Sequence, residues 1–156
     1  MNYLLRALVL FGWLLLLTQC AKGAAFTEQD LQQAQAQWNK NGLDSYRLTL
    51  EISGDKVETG VFVVEVEQNK IQGITRNGQA ITTTDTFYTI EGMFQFLENE
   101  LELGKEPRRY FGSAPGARIY MRAHFDPKQG FPTRYLRAIT DTKHNIAVEV
   151  KSLEKL

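Results

Sequence analysis

The hydrophobic positions of this chain change period several times, and each change marks an element. An unbroken apolar run, Ala7 to Leu17, comes first. From Thr27 to Asn41 the apolar residues Leu31, Ala34 and Trp38 recur at helical spacing with glutamines between them, which predicts a helix with one buried stripe. Thr27 stands three residues before Asp30, the spacing of a capping box. Asn41-Gly42 offers a glycine for a left-handed end to that helix. From Ser45 the period becomes two: Tyr46, Leu48, Leu50 and Ile52 point one way, Arg47, Thr49 and Glu51 the other, as in a half-buried strand. A second strand runs from Gly60 to Glu67 with Phe62, Val64 and Val66 on one face. Val61 and Val63 make its other face apolar too, so it is expected to be central or partly covered on both sides. Gln68-Asn69 leads into a third strand, Lys70 to Arg76, and Asn77-Gly78 signals another tight turn.

The period then returns to 3.6. Thr89 is placed to cap a helix in which Ile90, Met93, Phe94, Leu97 and Leu101 share one face, ending near Gly104. Glu98, Glu100 and Glu102 follow at a spacing of two, which turns them to different sides and reads as solvated decoration. Lys105 to Gly116, with Pro107 and Pro115, reads as a loop. Beyond it Ile119, Met121, Ala123 and Phe125 alternate with Arg118, Tyr120, Arg122 and His124, a strand with one wet face. Asp126-Pro127 opens a turn in which Gly130 can take positive φ. Pro132 to Thr140 and Asn145 to Leu153 supply the last strands. The fold class predicted is α+β: two helices packed on one face of an antiparallel sheet of about six strands, in the order α-βββ-α-βββ.

The opening run changes the picture from a cytosolic to an exported chain. It is eleven residues long and follows Arg6, whereas a helix crossing a bilayer needs roughly 20 apolar residues. Residues 1–19 therefore read as a signal peptide. Two cleavage products are open. Leu17-Thr18-Gln19-Cys20 resembles a lipobox, in which Cys20 would be diacylated and become the first residue, although Gln19 stands where a small residue is usual. Ordinary cleavage near residues 23–25 would discard Cys20 instead. Residues 20–26 are then a short linker, and 27–156 form a single α+β domain. Cys20 is the only cysteine, so an exported domain is held by packing without disulfides.

Four motifs carry a family likeness: Ala34-Gln35-Ala36-Gln37-Trp38, Gly42 to Leu50, Thr89-Ile90-Glu91-Gly92-Met93-Phe94, and Phe125-Asp126-Pro127-Lys128-Gln129-Gly130-Phe131-Pro132-Thr133. Together they resemble domain-of-unknown-function family 6174, small bacterial exported proteins, many of them lipoproteins. The resemblance implies location and fold, not a biochemical role. Its relatives often carry cysteines after the first strand, and Ile52-Ser53-Gly54-Asp55 has none, so no redox role carries over. Physically, Trp38 and Tyr46 are expected to bury large area where the first helix meets the sheet.

Candidate chemistry is sparse. His124 and His144 lie in different elements, and no HxH, HExxH or paired-cysteine spacing appears, so neither a metal nor a cofactor is implied. No G-x-S-x-G or phosphate-cradling glycine loop is present. No catalytic constellation can be named. Charge is the uneven feature: residues 51–103 hold ten acidic and three basic residues, and residues 104–140 hold eight basic and two acidic. Arg118 and Arg122 share a strand face, Arg134 and Arg137 lie across the hairpin, and Arg108 and Arg109 precede it. If they converge they form an anion-binding surface, unless Glu65 and Glu67 neutralise them across the sheet.

The expectation is a non-enzymatic binding or structural module of the cell envelope. Its partner would be an envelope protein or an anionic lipid or polysaccharide, with no nucleic acid, and with membrane contact only through a lipidated Cys20. It would face the periplasm on a lipid anchor, or be soluble periplasmic or secreted. The alternative is a small-ligand carrier or enzyme with a pocket between helices and sheet.

Overall fold

Short turns with the left-handed backbone that Asn, Asp and Gly tolerate stitch together most of the sheet. A computed structural model describes residues 25–55 and 57–156. The predicted signal peptide, Cys20 and the cleavage sites before Ala25 lie outside the described residues. The strands are β1 (Tyr46–Gly54), β2 (Gly60–Glu67), β3 (Lys70–Arg76), the two-residue β4 (Gln79–Ala80), β5 (Ile119–Phe125), β6 (Pro132–Ile139) and β7 (Ile146–Lys155). The helices are α1 (Glu28–Asn41), α2 (Ile90–Lys105) and the five-residue α3 (Pro107–Phe111), with a 3-10 turn at Thr86–Tyr88 before α2. Gln68, Asn69 and Asn77 all take positive φ, at 49°, 60° and 50°, in the β2–β3 and β3–β4 turns. Asp141, at 61°, does the same between β6 and β7.

All seven strands form one antiparallel sheet in the order β4-β3-β2-β1-β7-β6-β5. Each half is a meander of sequence neighbours. The halves join where β1 pairs with β7, Ile52 opposite Val148 and Leu50 opposite Val150, with a bulge after Thr49. The predicted class and order therefore hold, with two differences. β4 adds a short seventh strand, and Lys105–Gly116 contains α3, a third helix, instead of being all loop.

The core lies between the helices and one sheet face. Tyr46, Leu48, Leu50, Phe62, Val64, Val66, Tyr135 and Val148 rise from the strands to meet Leu31 and Trp38 of α1 and Ile90, Phe94 and Leu97 of α2. Burying a large apolar side chain contributes about 1.5–3 kcal/mol, so this one-sided stripe is what holds the domain together. Among the described residues no helix covers the opposite face. Val61 is 40% exposed there: of the two readings for β2, central or partly covered on both sides, the strand is central, with β3 and β1 beside it, while Val61 meets water.

Thr27 and Asp30 form the predicted capping box, the Thr27 backbone N–H donating to Asp30 Oδ2 at 2.8 Å. These bonds hold the Asp30 carboxyl below its usual range. Gly42 departs from expectation. It is extended rather than left-handed, and it is needed for space, because a Cβ there would stand 2.6 Å from the Trp38 ring.

Candidate binding surface

Strand alternation divides the six candidate arginines between two environments. In β5 and β6 the register sets Arg122 opposite Leu136, His124 opposite Arg134 and Met121 opposite Arg137. Side chains directly opposite share a face. Arg122, His124 and Arg134 therefore lie on the uncovered face, and Arg118, just before β5, continues that side. Met121 and Arg137 lie on the helix side. Tyr120, 44% exposed, stands between Arg118 and Arg122. Neither β5 nor β6 contains an acidic residue.

Arg137 is the correction. It is 7% exposed, and its Nη1 contacts both Glu100 oxygens at 2.5 Å. Its Nε donates to the His144 carbonyl at 2.8 Å, and its guanidinium lies 4.6 Å from the centroid of Phe111 in α3. Tyr135 donates to Glu100 Oε2 at 2.6 Å. Burial, reinforced by the adjacent carboxylate, pushes the Tyr135 phenol far above its ordinary range. Glu100, expected to be solvated, is only 3% exposed. A spacing of two on a helix does put Glu98, Glu100 and Glu102 on different sides; the middle one faces inward. Arg137 thus does not belong to an anion-binding surface, because it is buried and its charge is spent on Glu100.

Arg108 and Arg109 sit in α3, with Arg109 Nη1 3.2 Å from Glu106 and its guanidinium 5.3 Å from the Tyr110 ring. Glu65 does not reach the basic strands. It pairs with Arg47 at 2.7 Å, with β1 and β7 between β2 and β6. Glu149 stands opposite Arg134, yet its ion pair is with Lys151 at 3.1 Å. Among the described residues Arg118, Arg122 and Arg134 have no carboxylate within ion-pair distance.

The four sequence motifs meet elsewhere, around Trp38. Its Nε1–H donates to Glu91 Oε1 at 2.9 Å, and Tyr46 donates to Glu91 Oε2 at 3.2 Å while accepting the Ile90 N–H at 3.0 Å. Burial dominates in raising the Tyr46 phenol well above its usual range. Trp38 packs edge-on against Tyr46 and Phe131, with centroids 5.9 and 6.2 Å apart. Asp126 Oδ1 accepts from the Lys128 and Gln129 N–H groups, and Gly130, at φ +85°, lets the turn close on α1, where a Cβ would stand 2.3 Å from the Ala34 carbonyl oxygen. This node locks α1, β1, α2 and the β5–β6 turn together. Among the described residues no buried side-chain polar atom is left without a partner, so the node is architecture rather than a ligand site.

Grooves lie at the margins of the helix–sheet interface. One of about 630 Å³ runs between the 3-10 turn and α2, lined by Ile52, Thr83, Asp85, Phe87 and Asn99. Another, of about 720 Å³, lies between Phe26 and Leu31, Leu101 of α2, and Ile119 and Met121 of β5. Among the described residues no group of three or more His, Cys, Asp or Glu side chains could hold a metal ion, and no helix is long and apolar enough to cross a membrane.

A model of DUF6174, a family of unknown function, matches residues 30–106, and over that stretch the chain resembles the family. The match spans α1 to α2 and three of the four motifs; the basic hairpin lies beyond it. No curated protein and no solved structure matches the chain.

Proposed function

We propose that this chain is an exported cell-envelope protein, a non-enzymatic binding module whose uncovered sheet face takes an anionic partner at its β5–β6 end. The observation that carries the reading is the set Arg118, Arg122 and Arg134. They share one open face, no acidic residue interrupts their strands, and their charges are unspent inside the protein. Arginine suits such a surface because its planar fork bonds carboxylate or phosphate through two N–H groups. The basic start and short apolar run at 1–19 support export, and a lipidated Cys20 would hold this face close to a membrane. A carrier or enzyme is less well supported, because the space between helices and sheet is filled by the core and only its margins are grooved.

The test compares the protein with its R118E/R122E/R134E variant for retention on phosphatidylglycerol vesicles and on immobilised polyglutamate. Retention that weakens with salt, as screening requires, and disappears in the variant is expected. Equal behaviour of the two proteins on both supports would sink the reading.

A further inference from the structure

On the reading that the β5–β6 end is a binding surface, we propose that the free edge of β5 takes up an extended segment of an acidic partner polypeptide as an eighth strand. β5 is the last strand of the sheet, paired only with β6. Thr140 N–H donates to the Arg118 carbonyl at 3.1 Å, and Arg118 N–H to Thr140 Oγ1 at 2.9 Å. In an antiparallel ladder such pairs alternate with pairs that exchange no bonds. The register therefore directs the backbone groups of Tyr120, Arg122 and His124 to β6, and those of Ile119, Met121 and Ala123 out of the sheet. Among the described residues no protein group meets the outward ones.

The two faces beside this edge differ in a way that specifies the incoming segment. Residues of an added strand opposite Tyr120, Arg122 and His124 would stand on the uncovered face next to the arginines, and carboxylates suit them. Residues opposite Ile119 and Met121 would turn to the helix side, where the groove of about 720 Å³ is lined by Phe26, Leu31 and Leu101 as well as by Glu28, Glu98 and Glu102, so that apolar side chains suit it and carboxylates do not. The segment is thus one in which acidic and apolar residues alternate. A lipid surface cannot satisfy a row of backbone amides and carbonyls. A second copy of the chain brings no carboxylate to the arginines: antiparallel pairing centred on Tyr120 sets Arg118 opposite Arg122, centred on Arg122 sets that residue opposite itself, and centred on Met121 sets Arg122 opposite Tyr120, and like charges directly opposite destabilise a sheet. Strand addition of this kind draws affinity from main-chain bonds and specificity from alternate side chains.

The probe is an end-capped peptide of about seven residues, a usual strand length, alternating valine and glutamate, titrated into the full processed protein. Expected are binding, slowed hydrogen exchange at the Ile119, Met121 and Ala123 amides, and at least roughly tenfold weaker affinity for the same peptide N-methylated at every second amide on the edge that meets β5. Ala123→Pro, which removes an outward N–H while leaving the β6 ladder intact, should weaken binding as well. The methylated peptide keeps the test decisive if that variant folds poorly. Equal affinity of methylated and plain peptides, protection confined to other amides, or no binding at millimolar peptide would overturn strand addition. If polyglutamate retention still depends on Arg118, Arg122 and Arg134 in those cases, the anionic surface stands without it. If R118E/R122E/R134E binds the plain peptide as well as the unaltered protein does, the surface reading fails too.

Discussion

Arg134 and Arg137 are three residues apart on the same strand, yet they live in opposite electrostatic worlds. Arg137 points into the helix layer, where Glu100 takes up its charge and the His144 carbonyl and the Phe111 ring hold its guanidinium. Arg134 points to the open face beside His124, across the hairpin from the strand that carries Arg122. The difference shows that a count of arginines on a hairpin is not a count of available charge. An odd separation along a strand sends two side chains to opposite faces, and here one face is dry and the other wet.

The largest expected effect tests the dry side. Glu100→Ala strands a buried guanidinium, and removing one partner of a buried pair costs about 3–5 kcal/mol; urea unfolding should show a loss of that size. E100L/R137M, which removes both charges, should recover most of it, since a packed apolar pair often replaces a buried ion pair without loss. If the double variant is as unstable as Glu100→Ala, the charge left behind is not the cause.

A smaller effect comes with alkaline pH. The Tyr46 and Tyr135 phenols are held protonated in the fold, whereas the unfolded chain releases such protons near pH 10. Above that pH the unfolded state binds fewer protons, so stability is full below about pH 10 and declines as pH rises further. The tyrosinate absorbance that Tyr46 and Tyr135 contribute, read as the difference from their Phe variants, should therefore grow in step with loss of circular dichroism, and Tyr135→Phe should flatten the decline while removing a hydrogen bond worth about 1 kcal/mol at neutral pH. Tyrosinate appearing in full before any unfolding would contradict the burial of both hydroxyls.

The smallest expected effect on stability belongs to the wet side. Surface substitutions away from special features usually change stability by less than about 0.5 kcal/mol each, so R118E/R122E/R134E should melt close to the unaltered protein while losing its anionic partner. A collapse in melting temperature would mean that these arginines are structural after all, and would remove the contrast with Arg137.

Local chemistry made much of this fold legible. The strand boundaries of β2 and β3, the Thr27–Asp30 cap, the turns at Gln68-Asn69 and Asn77-Gly78 and the positive φ of Gly130 each depend on residues a few positions apart. Alternation likewise sets Arg118 and Arg122 on a wet face. Three features were not legible; two of them join distant segments, and the third depends on how one ring packs. Glu100 and Arg137 are 37 residues apart, and nothing in a helix with carboxylates at 98, 100 and 102 says which of them meets the sheet until α2 has packed. Gly42 serves the Trp38 ring rather than a backbone turn, which is visible only when the ring is placed. The pairing of β1 with β7 makes two meanders into one sheet and leaves β5 as an edge. Which faces are apolar can be read from the residues alone, because side-chain period follows from backbone geometry. Which charges are buried and which strand is last emerge with the packed fold, because those depend on packing and pairing between segments that no local pattern links.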